Sequence, residues 1–414
     1  MASLLITHIG SLIGLHSENL LMLRGAEMAM LPRLENAWLL CENGLISDFG
    51  SMEALPAQLP NELETFSAEG GYVLPSWCDS HSHIVFAAPR EEEFVMKIAG
   101  KSYEEIAAAG GGILNSAAKM QLATEDMLFQ AASLRLNDMI KQGTGALEIK
   151  SGYGLSVDTE IKMLKVIRRL KENFELPIKA SFLAAHAFPL AYKNDHQAYI
   201  SIIINQMLPQ IATEGLADYM DVFCEQGFFS VEETDQLLSA AAKYGLKPKI
   251  HANQLSVSGG VQVGVKHQAV SVDHLEATDE ATIAALSNGN TIATLLPSCS
   301  FYLGIPFANA RALIQANAPV ALASDYNPGS SPSGNMNFVL SLGCIKLKML
   351  PEEAINACTL NGAAAMELSA TTGSITKGKK ANLIITRAIS SLAFLPYSFG
   401  QSQIKTVILN GKIQ

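Results

Sequence analysis

The sequence predicts an α/β protein: a (β/α)8 TIM-like barrel with a small β-sandwich domain built from both chain termini. Three observations carry this expectation. Eight short apolar runs alternate with amphipathic helical stretches through the middle of the chain. Both ends instead carry strand-like pairs joined by Asn-Gly. Polar residues, histidines above all, close seven of the eight runs.

Near the N-terminus, residues 37–49 (AWLLCENGLISDF) hold two apolar runs joined by Asn43-Gly44. A type I′ turn needs φ > 0 at both central residues, so Asn-Gly between such runs signals a hairpin. The eight central runs are 72–78, 146–149, 180–185, 219–224, 248–250, 269–272, 291–296 and 319–323. Runs that are apolar throughout suit strands of a parallel sheet covered on both faces. Between them, residues 158–172, 230–244, 279–287 and 309–316 have helical periodicity. In the first of these helices Ile161, Leu164 and Ile167 share one face, and Lys162, Arg168, Arg169 and Lys171 form a solvated one. Eight strand–helix units are what a closed barrel requires. An open doubly wound sheet is the alternative that a strand count leaves standing. Gly110-Gly111-Gly112 has no following GKS or GKT, so it is no phosphate loop; a lid edge or a helix terminator is expected. Residues 381–386 (ANLIIT) and 405–414 (KTVILNGKIQ, with Asn410-Gly411) supply the C-terminal strands. The expected division is 1–70 with 370–414 as the composite β domain and 71–369 as the barrel.

A chain of 414 residues and 44.3 kDa folds to roughly 15,500 Å² of surface from about 64,000 Å² unfolded, ample for a large core without disulfide or metal staples. At 49% hydrophobic and 16% charged it is globular. A net charge of −10 argues against a general partner among nucleic acids or anionic membranes, though not against one small anion held by one arginine. The six cysteines form no CxxC pair and sit in apolar segments, as reduced thiols of a cytoplasmic protein would. No segment reaches the ~18 apolar residues of a membrane span. The first Lys or Arg is Arg24, so a secretory leader is not expected.

Active sites of such barrels lie at the C-terminal ends of the strands. The runs end, in order, in His81-Ser82-His83, Glu148-Ile149-Lys150, His186, Glu225, His251, Asp273-His274 and, for the eighth, Asp325. Five of the nine histidines fall at these ends. His81 and His83 are two apart, so their rings leave one face and can converge on a cation. Imidazoles and a carboxylate suit Zn²⁺ or iron, and the absence of cysteine among the run ends favours a catalytic ion over a closed structural one. Such an ion lowers the pKa of its water from 15.7 to about 7.

These residues resemble the amidohydrolase superfamily, and within it the imidazolonepropionase family of histidine degradation. The matching segments include Gly100-Lys-Ser-Tyr103, Ala109-Gly-Gly-Gly-Ile113, Glu148-Ile-Lys-Ser-Gly-Tyr-Gly154, Ala185-His186-Ala187, Asp221-Val-Phe-Cys-Glu225, Lys249-Ile-His-Ala252, Asp273-His-Leu-Glu276 and Asp325-Tyr-Asn-Pro-Gly-Ser330, in order along nearly the whole chain. The resemblance implies a metal-dependent hydrolysis of the ring amide of 4-imidazolone-5-propanoate to N-formimidoyl-L-glutamate. It implies one divalent or trivalent ion per chain, Zn or Fe, on His81, His83, His251 and Asp325, whose hydroxide attacks the ring carbonyl. Arg90, Tyr153, His186, Gln254, Asn327, Gly329 and Ser330 fall where the family binds substrate, with Tyr103 a weaker candidate.

Each assignment has a physical reason and a plainer alternative. Arg90 is a planar donor fork suited to a carboxylate; the alternative is pairing with Glu91, Glu92 or Glu93. Tyr153 between two glycines can present a phenol to a ligand, or be a core tyrosine. The turn after Asp325 can offer backbone N–H groups to an anion, or be a plain turn. His274 is the expected proton shuttle, with a fourth ligand role open. Related deaminases carry glutamate where this chain has Gln254, which cannot exchange protons; the shuttle then falls to His274, helped by Asp325. Ser82 stands where threonine is commoner, with no expected effect. The competing functions are a deaminase of the same superfamily acting on another nitrogen heterocycle, and a dead barrel kept as a scaffold. A small anionic substrate and, by base rate, a homodimer are the expected partners.

Overall fold

The computed structural model describes residues 3–60, 62–101, 105 and 111–414. The N-terminal strands are β1 (Ser3–Ile13), β2 (Arg33–Glu42), β3 (Leu45–Ser51), β4 (Leu63–Ser67) and β5 (Tyr72–Pro75). β1 runs antiparallel to β2 along one edge; its other edge is shared, with Ser3–Thr7 parallel to β4 and Ser11–Leu12 parallel to β5. Asn43 and Gly44 both have positive φ, 52° and 80°, as the β2–β3 hairpin requires. Alternation sorts β1 onto two faces: Leu4 and Ile6 pack with Leu39 and Ile408, while Leu5 packs with Trp38 and Leu40.

The barrel strands are β6 (Trp77–Asp79), β7 (Thr144–Lys150), β8 (Ile178–Ala185), β9 (Tyr219–Cys224), β10 (Lys247–Ala252), β11 (Ser271–His274), β12 (Ile292–Leu295) and β13 (Val320–Leu322). They lie side by side in chain order, all parallel. The seam between β13 and β6 is joined beyond the strand ends, where Asp325 N–H donates to His81 O at 3.0 Å and His83 N–H to Tyr326 O at 2.8 Å. Closure of the barrel therefore lays the His-x-His segment against Asp325. The C-terminal strands β14 (Leu383–Thr386), β15 (Ile404–Leu409) and β16 (Lys412–Ile413) return to the first sheet, where β14 is antiparallel to β5. Asn410 and Gly411 turn the last hairpin with φ of 47° and 72°.

The run at 72–78 divides. Its first half is β5 of the mixed sheet, and only Trp77–Asp79 joins the barrel. The exchange occurs at Ser76, whose N–H donates to Asn382 O, while Trp77 N–H already donates to Gly143 O. The expected helices form, three of them with polar caps: Val157–Asn173, where Ser156 makes no side-chain cap bond; Val231–Ala242 with a Ser230–Glu233 capping box; Glu280–Ser287 capped by Asp279; Ala310–Gln315 capped by Asn309. Ile161, Leu164 and Ile167 are buried as expected. Gly112, with φ of 90°, precedes the helix Ile113–Leu122, and its N–H donates to Glu93 Oε1. Tyr103, Ala109 and Gly110 lie outside the described residues. Among the described residues no helix is long and apolar enough to cross a membrane.

Candidate metal centre and substrate pocket

The barrel interior beneath the site is charged. Alternation along β7 and β10 turns Glu148, Lys150, Lys249 and His251 inward, all buried. Lys150 Nζ lies 2.6 Å from Glu148, 2.7 Å from Asp221 and 3.3 Å from Asp273. Lys249 Nζ pairs with the other oxygen of Glu148. Burial opposes the Lys150 ammonium, but Asp221, Glu148 and Asp273 outweigh it and hold the group above the ordinary lysine value.

Two of these carboxylates reach upward to histidines. His81 Nδ1 lies 2.6 Å from Asp273 Oδ2, and His251 Nδ1 lies 3.0 Å from Asp221 Oδ1. Each carboxylate accepts an Nδ1–H, which directs the bare Nε2 inward, the arrangement that orients imidazole ligands. His81 Nε2 is 3.3 Å from His83 Nε2 and 3.4 Å from Asp325 Oδ1, and His83 Nε2 is 3.5 Å from the same oxygen. The His251 ring is 4.4 Å from that of His81, and its Nε2 is buried with no hydrogen-bond partner.

That orphaned nitrogen tests the fit of a cation. A buried polar atom is ordinarily satisfied, and here ring nitrogens of His81 and His83 converge with a carboxylate oxygen of Asp325, while His81 also groups with His251 and His274. Burial holds His81, His83 and His251 well below the ordinary histidine value, so they are neutral donors. Burial also pushes Asp325 up to about 6, a penalty that a neighbouring cation removes. Asp325 and His274 are held at φ of 54° and 88°, a left-handed backbone costly for non-glycine residues and frequent at functional sites.

Above this centre opens a cavity of about 460 Å³. It is lined by Arg90, Tyr153, His186, Gln254, Asn327, Gly329 and Ser330, together with His83, His251, His274 and Asp325; His81 lies one layer deeper. Arg90 takes the plainer of its two expected roles, pairing with Glu93, and also lines the cavity. Its Nε and Nη2 donate to the two oxygens of Glu93, at 2.8 and 2.5 Å, and its Nη1 edge lies against Gly329. Tyr153 is buried, and burial pushes its phenol well above the ordinary value, so it is a hydroxyl donor. The His186 ring stacks on His83 at 5.5 Å, and burial lowers it to about 4. Gln254 donates to Cys299 Sγ at 3.4 Å.

The turn after Asp325 takes the plainer of its two expected forms. The N–H groups of Gly329 and Ser330 both donate to Asn327 Oδ1 at 2.8 Å, so they do not face an anion. Asn327 Nδ2 donates to Asp325 O and Ser330 Oγ, and Ser330 Oγ donates to Asp325 Oδ2 at 3.3 Å. The turn thus positions the aspartate. Glu225 likewise faces away from the centre, clamping the loop that carries Gln254 through Leu255 N–H and the Ser256 hydroxyl.

His274 ends β11 with Nδ1 3.5 Å from Glu276 Oε2. Burial opposes its charge, yet the Glu276 carboxylate lifts it above the ordinary histidine value. Sequence reasoning gave no role to the Lys150–Asp221–Asp273 layer, to Glu276 or to Cys299. The one available signal for the layer was charge at alternate positions inside strands that otherwise read as core.

The Amidohydrolase family model matches residues 72–414, and the chain belongs to that family of barrel hydrolases, with a divalent-metal centre among its histidines and aspartate. Guanine deaminase of E. coli shares the fold, with a TM-score of 0.76 over 100% of this chain and 99% of that one at 15% identity. So does an adenosine deaminase from Xanthomonas campestris with bound zinc, at 0.70 over 100% and 92% with 16% identity. Within the family the chain belongs with the imidazolonepropionases. It is 54% identical over 411 residues to imidazolonepropionase of Christiangramia forsetii, spanning 99% of this chain and 100% of that relative. It is 42% identical over 390 residues to that of Clostridium tetani, spanning 94% and 93%.

Proposed function

We propose that this chain hydrolyses the ring amide of 4-imidazolone-5-propanoate to N-formimidoyl-L-glutamate in histidine degradation, using zinc or iron held by His81, His83, His251 and Asp325. The observation that carries the reading is the 54% identity over the full chain to relatives named for this activity. Three imidazoles and one carboxylate suit either metal. When bound, the ion supplies Lewis-acid activation of the hydrolytic water.

The remaining chemistry belongs to the chain's own side chains. The substrate has one carboxylate, and Arg90, pinned by Glu93 at the cavity rim, offers its planar edge to it. Tyr153, as a neutral phenol, and Gln254 orient the ring. His186, neutral at the working pH, packs beside His83 and closes that wall. His274, with Nδ1 toward Glu276, takes a proton from water at Nε2 and returns it to the departing ring nitrogen. Gln254 cannot take that part, which speaks against a glutamate-shuttled deaminase. A cytoplasmic setting accords with six cysteines that form no disulfide.

The test mixes purified protein with fresh imidazolone propionate and follows the ring's ultraviolet absorbance with and without a chelator. Chelator-sensitive decay is expected. Metal-loaded protein that leaves the absorbance unchanged would refute the substrate assignment.

A further inference from the structure

We propose that His274, Glu276 and Cys299 form a second cation site, suited to a thiophilic divalent ion, whose occupation switches hydrolysis off. The inhibition, though not the binding, rests on the reading of His274 as proton shuttle. A ring nitrogen, a carboxylate oxygen and the Cys299 sulfur lie within 4.8 Å of one another. Glu276 stands outside the His81–His83–His251–Asp325 centre; His274 adjoins both sites, and the Cys299 thiol also interacts with Asp325.

The trio is built rather than incidental. Cys299 occupies the first turn of the helix Pro297–Leu303, and the next residue, Ser300, donates its hydroxyl to Glu276 Oε1 at 3.1 Å. The helix start therefore brings sulfur and carboxylate together. The other oxygen, Oε2, faces His274 Nδ1 at 3.5 Å, beyond hydrogen-bond length. Apart from this long ion pair, both atoms are buried with no hydrogen-bond partner, on side chains only 3% exposed. Two such atoms facing one another beside a thiol call for a shared partner, and a cation satisfies both at once.

Donor chemistry selects the ion. One imidazole, one carboxylate and one thiol match Zn²⁺ or Cd²⁺ and poorly suit Mg²⁺ or Ca²⁺, which take oxygen ligands. As the metal–sulfur bond forms, the Cys299 thiol releases its proton to solvent. The ion's two positive charges are then matched by thiolate and carboxylate, with the imidazole neutral. His274 lines the substrate cavity, so the ion can enter by the substrate's own route. Once its nitrogen is ligated, His274 can no longer pass a proton against Glu276, and turnover stops.

The experiment titrates Cd²⁺ into protein already carrying one equivalent of zinc. Three quantities are read: cadmium–thiolate ultraviolet absorbance, zinc and cadmium per chain after desalting, and the rate on imidazolone propionate. One cadmium per chain is expected on top of retained zinc, with a thiolate band and a rate loss that rises with it. Cys299→Ser should abolish the band and raise the half-inhibiting cadmium concentration about tenfold or more, each variant being compared with its own uninhibited rate. Glu276→Gln should raise that concentration similarly, which keeps the test decisive if the cysteine variant does not fold. Cys344→Ser, at a partly exposed thiol, should leave the band unchanged. A band and inhibition that survive Cys299→Ser, cadmium that replaces zinc one for one, or failure to bind a second equivalent would each overturn the proposal. If the uninhibited protein leaves imidazolone propionate intact, the substrate assignment fails, while band and stoichiometry still decide the site.

Discussion

Replacing Glu160 by glutamine should loosen the loop that carries Tyr153 while sparing the metal centre. Glu160 lies on the helix Val157–Asn173 and is fully buried. Its Oε1 accepts the N–H groups of Gly154 at 2.7 Å and Leu155 at 3.0 Å, and its Oε2 accepts that of Gly152 at 3.1 Å. One carboxylate thus holds three backbone N–H groups of a single loop, and the loop has no slack: a Cβ on Gly154 would stand 2.5 Å from Glu160 N. Glutamine keeps the volume. Its amide oxygen can retain the bonds to Gly154 and Leu155, but its NH₂ then meets the Gly152 N–H, donor against donor. The loss is one hydrogen bond to a charged acceptor, about 1.5–3 kcal/mol. Burial pushes the Glu160 carboxyl above its ordinary value, so removing the charge gives part of this back. The net expectation is about 2 kcal/mol of unfolding free energy, read from urea denaturation. Because Gly152 O also accepts His186 Nδ1 at 3.1 Å, KM should rise about tenfold with kcat little changed, the mark of lost uniform binding. Hydrogen exchange should quicken at the amides of residues 152, 154 and 155. Stability within about 0.5 kcal/mol of the parent, together with unchanged KM and exchange, would refute the role given to these three bonds.

Three further outcomes are expected. His274→Asn should lower kcat by about 10²- to 10⁴-fold while metal content, measured by elemental analysis, stays at the parent's level; metal loss would make His274 a ligand. Gly329→Ala places a Cβ 2.2 Å from Arg90 Nη1, so the guanidinium must move and KM should rise about 10- to 100-fold, as steady-state kinetics will show. The third concerns pH. His186 is lowered from 6.5 to about 4 by burial, so the unfolded chain binds more protons between those values. The stability from this site is present above pH 6.5 and is lost as pH falls toward 4. In metal-free protein, denaturation curves of parent and His186→Asn should therefore shift relative to one another by about 3 kcal/mol between pH 7 and pH 4; parallel curves would contradict it.

What the sequence determined by itself is local and periodic. Asn-Gly at 43–44 and 410–411 can enter the left-handed region twice, and both pairs do. Ser230, Asp279 and Asn309 cap the helices they were expected to begin, because a cap bond spans only a few residues. Uninterrupted apolar runs announced strands buried on both faces, and His-x-His announced two rings on one side. The division of the run at 72–78 was not legible, since its pattern is equally apolar in either sheet; the backbone partners of Ser76 and Trp77 decide it, and they come from residues 382 and 143. Tertiary structure selected Glu93 among the three glutamates that the sequence offered Arg90, while keeping the guanidinium at the cavity rim. It also turned the Asn327 side chain inward on its own loop, and set Lys150 between Asp221 and Asp273 beneath the ligand histidines. Those arrangements compensate buried charge and satisfy buried N–H groups. Many pairings would meet that demand in principle; which one forms depends on which strands the barrel closure brings within a few ångströms.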